Sequence, residues 1–365
     1  MNYTNTPINK IGKVVTGKTP STSISEYYDG DIMFITPTEL HSDYVVTKSE
    51  KTISQKGFDS IRSNTISGTS VMVGCIGWDM GNVAVCKETC ATNQQINSVT
   101  DIAPEYNPMY LYYWLKTKKE YLFSIASVTR TPILSKSTFE EVLVPVPSKK
   151  VQDAVSNVLT SIDKKIASNS HINDNLQQMA YDTYMHLFFK KQMNGTLGQI
   201  IVENNKSTVQ VGEAKGSSGK LPFFTSGDAI LEWNEPMIDG RNCYLNTGGN
   251  AGVKFYIGAA AYSTDTWCIT ANRNLEDYLY LLLLSIKPEL NQKFFQGTGL
   301  KHLQKPLLKD RRIYIPSDEE IREFNSKIQP LMDMISANTR ENKRLIGLRD
   351  WLLPMLMNGQ ATVCG

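Results

Sequence analysis

The sequence is short of the residues on which most enzyme chemistry depends. Its four histidines (His41, His171, His186, His302) are scattered over 365 residues, so a general acid–base constellation has little to draw on. Its six cysteines (Cys75, Cys86, Cys90, Cys243, Cys268, Cys364) are too sparse for a disulfide framework. Cys86-x3-Cys90 could begin a metal site, but no second Cys or His pair follows at zinc spacing. Free, partly buried thiols and no metal are the expectation. No apolar run reaches the roughly 18 residues of a spanning helix. The longest, 278–286, is about half that. The start, Met1-Asn-Tyr-Thr-Asn-Thr-Pro7, lacks the apolar stretch of a secretory signal, so a cytoplasmic protein with no membrane partner is expected. A dominant charge is missing too. The formal net charge is +2, evenly spread, so a nucleic-acid partner would require the fold to gather positive charge on one face. With 41% hydrophobic and 20% charged residues the chain can still build ordinary cores, and its length suggests two or three domains.

Two stretches imitate catalytic motifs. Gly12-Lys-Val-Val-Thr-Gly-Lys-Thr19 fits the phosphate-binding pattern G-x4-G-K-[ST]. That loop works only between a buried strand and a helix whose N-terminus faces the phosphate. Here Asn5-Thr-Pro-Ile-Asn-Lys10 precedes it and Pro20-Ser-Thr-Ser-Ile-Ser25 follows, neither with the right pattern, and no apolar strand ending in Asp supplies the second acid. Asn107-Pro-Met-Tyr110 is similar to the Asn/Asp-Pro-Pro-Tyr motif of amino-methyltransferases, but no Gly-rich nucleotide turn accompanies it. It reads better as a helix start, with Asn107 as N-cap and Pro108 in the first turn. No acid-acid-Lys nuclease core and no Gly-x-Ser-x-Gly elbow stands out.

What the chain does have is repetition. At an offset of 169, Leu134 falls on Leu303, Lys136 on Lys305, Val144 on Ile313, Val146 on Ile315 and Pro147 on Pro316, and the offset holds through the following 40 residues or so. Upstream it drifts. Asn93-Gln-Gln-Ile-Asn-Ser98 matches Ser263-Thr-Asp-Thr-Trp-Cys268 at 170, and Asp31-Ile-Met-Phe-Ile-Thr-Pro37 matches Lys220-Leu-Pro-Phe-Phe-Thr-Ser226 at 189. Drift of this kind means loops of unequal length. Each half opens with short β-type runs (32–36, 70–76 and 82–86; 221–225 and 253–258) broken by Gly, Thr, Ser and Asn. A short apolar helix (109–116 or 278–285) follows, then a strand ending in Pro-x-Pro or Tyr-Ile-Pro, then a long amphipathic helix.

The long helices each carry a stripe spaced alternately by three and four residues. The first reads Gln152, Val155, Leu159, Ile162, Ile166, Asn169, Asn173, Leu176, Ala180. The second reads Ile321, Phe324, Ile328, Leu331, Ile335, Asn338, Asn342, Leu345, Arg349. Antiparallel packing would bring the four asparagines together near the midpoint, where buried Asn fixes register at some cost in stability. A helix of about 29 residues would make a rod of about 43 Å. The fold class is therefore α+β, with two β-rich domains separated by two long antiparallel coiled-coil helices in a pseudo-two-fold duplication. The expected boundaries are 1–147 and 194–316 for the β-rich domains, and 148–193 and 317–360 for the helices.

The order domain–helix–domain–helix resembles the DNA-specificity subunits of type I restriction-modification systems. The phrases that carry the resemblance are Gly17-Lys-Thr-Pro-Ser21, Tyr27-Tyr-Asp-Gly-Asp-Ile32, Phe34-Ile-Thr36, Asn93-Gln-Gln-Ile-Asn97 and Leu143-Val-Pro-Val-Pro147. In the second half they are Leu221-Pro-Phe-Phe-Thr-Ser-Gly227 and Ile313-Tyr-Ile-Pro316. The second half departs at Ser263-Thr-Asp-Thr-Trp267. The resemblance implies two target recognition domains, each reading half of an interrupted double-stranded DNA site, with the helices as a ruler. It implies two modification subunits that bind S-adenosylmethionine and methylate adenine, and restriction subunits that use ATP and magnesium. This chain would hold no cofactor and no catalytic residue. A DNA-binding adaptor of another defence system, or a phosphate-loop ATPase, are the alternatives.

Lys and Arg suit phosphates, and Arg, Lys, Asn and Gln suit base edges. In the first domain the candidates are Lys18, Thr19, Thr36, Trp78, Asn82, Gln94, Gln95, Arg130 and Lys136. In the second they are Lys215, Lys220, Arg241, Asn250, Lys254, Lys301 and Lys305. Arg130 and Lys301 rank first because they open matched loops.

Overall fold

The computed structural model describes residues 3–41, 44–128, 130–299 and 301–363; Cys364 lies outside them. The chain divides into two units. Unit 1 is residues 1–168 with 342–365, and unit 2 is residues 169–341.

Unit 1 is built on an antiparallel sheet in the order Lys13–Thr16, Ile96–Thr100, Ser70–Gly74, Val83–Cys86. Both faces of this sheet are buried, and alternation sorts its side chains between them. Val71, Val73, Val85 and Val99 join one core with the helix Pro108–Lys116. Met72, Ala84, Cys86 and Ile96 face a second core. A second sheet orders Lys51–Ile53, Tyr28–Ile35, Cys90–Thr92 and Thr65–Ile66. Its central pair is parallel, Phe34 opposite Ala91 and Ile35 opposite Thr92. Cys90 and Cys86 sit 3.5 Å apart, both buried, with the Cys90 thiol donating. That hydrogen bond draws the Cys86 thiol down to about 7 and pushes the Cys90 thiol up.

Unit 2 repeats the plan. Its first sheet orders Ile201–Glu203, Thr266–Ala271, Arg241–Asn246 and Val253–Ile257, all antiparallel. Its second sheet orders Ile230–Trp233, Leu221–Phe224 and Ala261–Tyr262. The parallel pair is again present, Phe223 opposite Ala261 and Phe224 opposite Tyr262. These pairings fall at the offsets of 189 and 170 read from the sequence. The helix Glu276–Ser285 takes the place of Pro108–Lys116.

Both long helices run for 40 residues, Lys149–Phe188 and Asp318–Met357. Each is about 60 Å long at 1.5 Å per residue, longer than the stripe alone implies. The extra turns follow from what the stripe packs against. In unit 1, Val155 and Leu159 share a core with Leu353, Leu356 and Met357 from the end of the second helix. In unit 2, Phe324 and Ile328 share a core with Ala180, Tyr184 and Phe188 from the end of the first. The pairs match at offset 169: Tyr184 with Leu353, and Phe188 with Met357. Within each unit the helices run antiparallel, and each core is closed by the far end of the other repeat's helix. The aromatic contacts in unit 2 are close, Phe188 lying 5.2 Å from both Tyr278 and Phe324 by ring centroids.

The stripe is not apolar throughout. Asn169 is buried and donates to Glu341 at 2.7 Å, and Asn338 donates to Asn173 at 2.9 Å. Asn342 donates to the Ile166 carbonyl at 3.2 Å. Ile166, Leu176, Leu331, Ile335 and Leu345 are half-buried, whereas Val155, Leu159, Ile162, Phe324 and Ile328 are buried. Unit 1 also buries Asp163, which accepts from Tyr113 at 2.7 Å and from Arg349 at 2.9 Å. At offset 169, unit 2 has Leu282, Met332 and Ala180 in these places, all buried. A hydrogen-bonded ion pair in one unit is thus an apolar contact in the other. Removing one partner of a buried pair costs about 3–5 kcal/mol, whereas replacing the whole set by packed apolar groups is often neutral. Asp163→Ala should therefore lower the melting temperature sharply. The triple variant Tyr113→Leu, Asp163→Met, Arg349→Ala should recover most of that loss in a thermal melt.

The second long helix begins with a capping box: Ser317 Oγ accepts from Glu320 N–H at 3.3 Å, and Glu320 accepts from Ser317 N–H at 2.9 Å. The Ser317 amide, the Tyr314 hydroxyl and Lys191 hold the Glu320 carboxyl down at about 2. A carboxyl with a depressed folded-state pKa stabilises fully above its ordinary value of 4.5, and the benefit fades as pH falls toward 2. The melting-temperature gap between the parent and Glu320→Ala should be full at pH 7 and close across that acid window.

Candidate nucleic-acid interface

At one end of each unit the loops between strands are tied together by backbone hydrogen bonds, and the ties are the same in both. In unit 1, Cys75 N–H donates to Gln95 O at 2.7 Å, Gly77 to Pro132 O at 3.0 Å and Leu134 to Cys75 O at 2.9 Å. In unit 2, Thr247 N–H donates to Asp265 O at 3.2 Å, Gly249 to Lys301 O at 2.9 Å and Leu303 to Thr247 O at 3.0 Å. Ile76 bridges Ile133 as Gly248 bridges His302. Asn93 N–H reaches Ile35 O at 3.1 Å as Ser263 reaches Phe224 O at 2.9 Å. Gly77 and Gly249 both sit in the left-handed region, with φ of 101° and 77°. A side chain there would strain the turn that brings the loops together. The offset of 172 between them is the signal for this pair in the sequence.

This convergence gathers many of the candidates. In unit 1, Lys18, Trp78, Gln94 and Arg130 are exposed on adjoining loops, and Lys136 opens the short helix Lys136–Glu140 beside them. Thr19 donates to Gln94 at 2.8 Å, and Gln95 accepts from Asn93 at 2.9 Å. Thr36 is turned inward, its hydroxyl donating to the buried Glu39 at 2.8 Å. Asn82 is held in a polar set with Asp79, Lys119 and His41, accepting from Lys119 at 2.9 Å. That set, centred on the Lys119–Asp79 ion pair at 2.6 Å, has no motif in the sequence to announce it.

In unit 2, Asn250 and Lys301 are exposed on the loop cluster, while Lys215 and Lys220 are exposed on and after the short helix Val211–Lys215. Three further candidates make contacts within the unit. Arg241 is only 18% exposed and grips Asp277, itself 1% exposed, through both carboxylate oxygens at 2.8 and 2.9 Å, and also contacts Asp333. Burial pushes the Asp277 carboxyl up to about 6 against the pull of Arg241. Lys254 donates to the Thr225 carbonyl at 2.8 Å and to the Gly227 carbonyl. The Lys305 ammonium lies 4.8 Å above the Trp267 ring. Burial lowers the pKa of both lysines. Each of these cations has a partner within the unit, which charge and position in a sequence cannot convey.

Neither of the two motif-like stretches forms the structure its motif requires. The G-x4-G-K-[ST] stretch forms the strand Lys13–Thr16, with no helix after it. The amides of Gly17 and Lys18 are already bonded to Ile96 O and Thr92 O, so they cannot cradle a phosphate. A Cβ on Gly17 would stand 2.3 Å from the Asn93 carbonyl, so close backbone packing accounts for that glycine. Asn107 is the N-cap of Pro108–Lys116, accepting from Met109 N–H at 2.8 Å, as the sequence suggests. A cavity of about 370 Å³ in unit 2 is lined by helix ends, including Tyr184, Phe188 and Arg311, and takes nothing from the loop cluster. Among the described residues no group of three or more His, Cys, Asp or Glu could hold a metal.

Residues 2–178 and 190–346 each match the type I restriction modification DNA specificity domain. The chain belongs to this family. It is 25% identical over 406 residues to the type I restriction enzyme MjaIX specificity subunit of Methanocaldococcus jannaschii, spanning 98% of this chain and 93% of that one. It is 32% identical over 175 residues to the HindI specificity subunit of Haemophilus influenzae, spanning 47% of this chain and 38% of that one. Its fold is similar to the crystal structure of a type I restriction-modification S subunit from M. genitalium, with a TM-score of 0.64, 18% identity, and coverage of 98% and 96%. Two specificity domains in tandem account for the duplicated loop clusters. Among the described residues no helix is long and apolar enough to cross a membrane.

For this specificity protein the exposed and the committed cations predict opposite outcomes. Arg130→Ala and Lys301→Ala should each weaken DNA binding, read by electrophoretic shift, with an unchanged melting temperature. Arg241→Ala should instead unfold unit 2 at lower temperature, by about 3 kcal/mol, because it strands the buried Asp277.

Proposed function

We propose that the chain is the non-catalytic specificity subunit of a type I restriction-modification complex, reading one half of an interrupted double-stranded DNA site with each loop cluster. The observation that carries this reading is the duplication of one loop framework, bond for bond, within a chain of this family. A site read by two equivalent clusters consists of two short sequences with unread base pairs between them. The paired helices would set the length of that gap.

Chemistry then belongs to partners. Two modification subunits, holding S-adenosylmethionine, would methylate adenine in each half-site, and restriction subunits would use ATP and magnesium. The long helices offer them matched places to dock. Met179 and Leu348 lie 169 residues apart at equivalent positions and are both exposed. Equivalent apolar residues left in solvent suit two copies of one partner. The complex would work in the cytoplasm, where it meets DNA.

Co-expression with a type I modification subunit, followed by mapping of methylated adenines in host DNA, tests the reading. The expected result is methylation at one interrupted motif that disappears when this gene is deleted. A soluble complex with no motif-specific methylation would overturn it. Met179→Glu with Leu348→Glu should reduce co-purification of the modification subunit while leaving the melting temperature of this chain unchanged.

A further inference from the structure

The two loop clusters share a backbone and differ in what they display. In unit 1, Trp78 directly follows Gly77, and its ring is 72% exposed, 6.1 Å by centroids from Phe123. Ile133, bridged to Ile76 in the next loop, is 45% exposed. A single exposed apolar side chain needs no explanation, but two on loops joined by the Gly77–Pro132 hydrogen bond and the Ile76–Ile133 bridge form a small patch. The matching positions in unit 2, placed by the equivalent hydrogen bonds and bridge, are Asn250 and His302. The same framework is therefore built without apolar groups there, so the fold does not require the patch. It is a property of what unit 1 presents.

The surroundings of the patch indicate what would cover it. Lys18 and Arg130 are exposed on the same loop cluster and suit phosphates. Along the major groove the apolar element that a base edge offers is the C5-methyl group of thymine. We infer that Trp78 and Ile133 read thymine methyl groups in the half-site recognised by unit 1, while unit 2 reads its half-site through polar groups, including Asn250 and His302. This rests on the proposed function, under which each half-site contains an adenine to be methylated and hence a thymine opposite it.

The test uses the complex with its modification subunits and duplexes in which uracil replaces thymine, one half-site at a time. Uracil keeps every hydrogen-bonding group and lacks only the methyl. Burial of one such group corresponds to about fourfold in affinity. One half-site should lose about fourfold per contacted methyl, and the other should change by less than about twofold. Trp78→Ala and Ile133→Ser, both at exposed positions, should bind thymine and uracil duplexes alike, with unchanged melting temperatures. Equal sensitivity in the two halves, sensitivity in neither, or sensitivity that survives Trp78→Ala combined with Ile133→Ser would overturn the inference while leaving the proposed function standing. A parent complex with no preference for an interrupted site would overturn the proposed function, and this inference with it.

Discussion

The structure depends on one packing constraint: neither core closes without the far end of the other repeat's helix. In unit 2 the missing face is supplied by Ala180, Tyr184 and Phe188, and in unit 1 by Leu353, Leu356 and Met357. Burying such side chains is the main favourable term in folding, about 1.5–3 kcal/mol for each large one. A single repeat with only its own helix would leave that face in water. A repeat therefore needs a second repeat to complete its core, and in this chain the duplication supplies it.

The exchange also needs the right partners. Unit 1 sets the Asp163–Arg349 pair and Tyr113 where unit 2 has Met332, Ala180 and Leu282. If the 342–357 segment packed onto unit 2, the Arg349 guanidinium would face Leu282 and Met332 without a carboxylate. An unpaired buried charge is costly, so the wrong pairing is disfavoured even though the helices share a heptad pattern. The asparagines near the middle of the stripes act in the same sense, each satisfied by a particular partner such as Glu341, Asn173 or the Ile166 carbonyl.

On this frame the loop clusters are rigid supports with variable tips. The bonds from Cys75, Gly77 and Leu134, and from Thr247, Gly249 and Leu303, join backbone atoms and so are indifferent to side-chain identity. Side chains between those ties are free to differ, as Trp78 differs from Asn250. Specificity can then change without disturbing the fold, which suits a pair of domains that read unrelated sequences with one architecture. The Arg241–Asp277 pair and the Lys254 contacts belong to the support, and the exposed Lys18, Arg130 and Lys301 belong to the tips.

The sequence by itself left strands such as Ile96–Thr100, Arg241–Asn246 and Thr266–Ala271 unread, but it determined the duplication, the helices of each half and the phase of the two stripes. These are local or periodic properties, carried by hydrophobic spacing and by matched phrases such as Leu134 with Leu303. It also placed Asn107 correctly as a cap, because capping involves only neighbouring residues. Tertiary structure alone decided what the final turns of each helix pack against, since the other repeat's core receives them. It alone decided which cations are available, because Arg241 and Arg130 look alike in sequence and differ only in whether a distant carboxylate, Asp277, lies within reach. Long-range pairing of this kind joins residues that no local pattern connects, and there the reading of a single sequence ends.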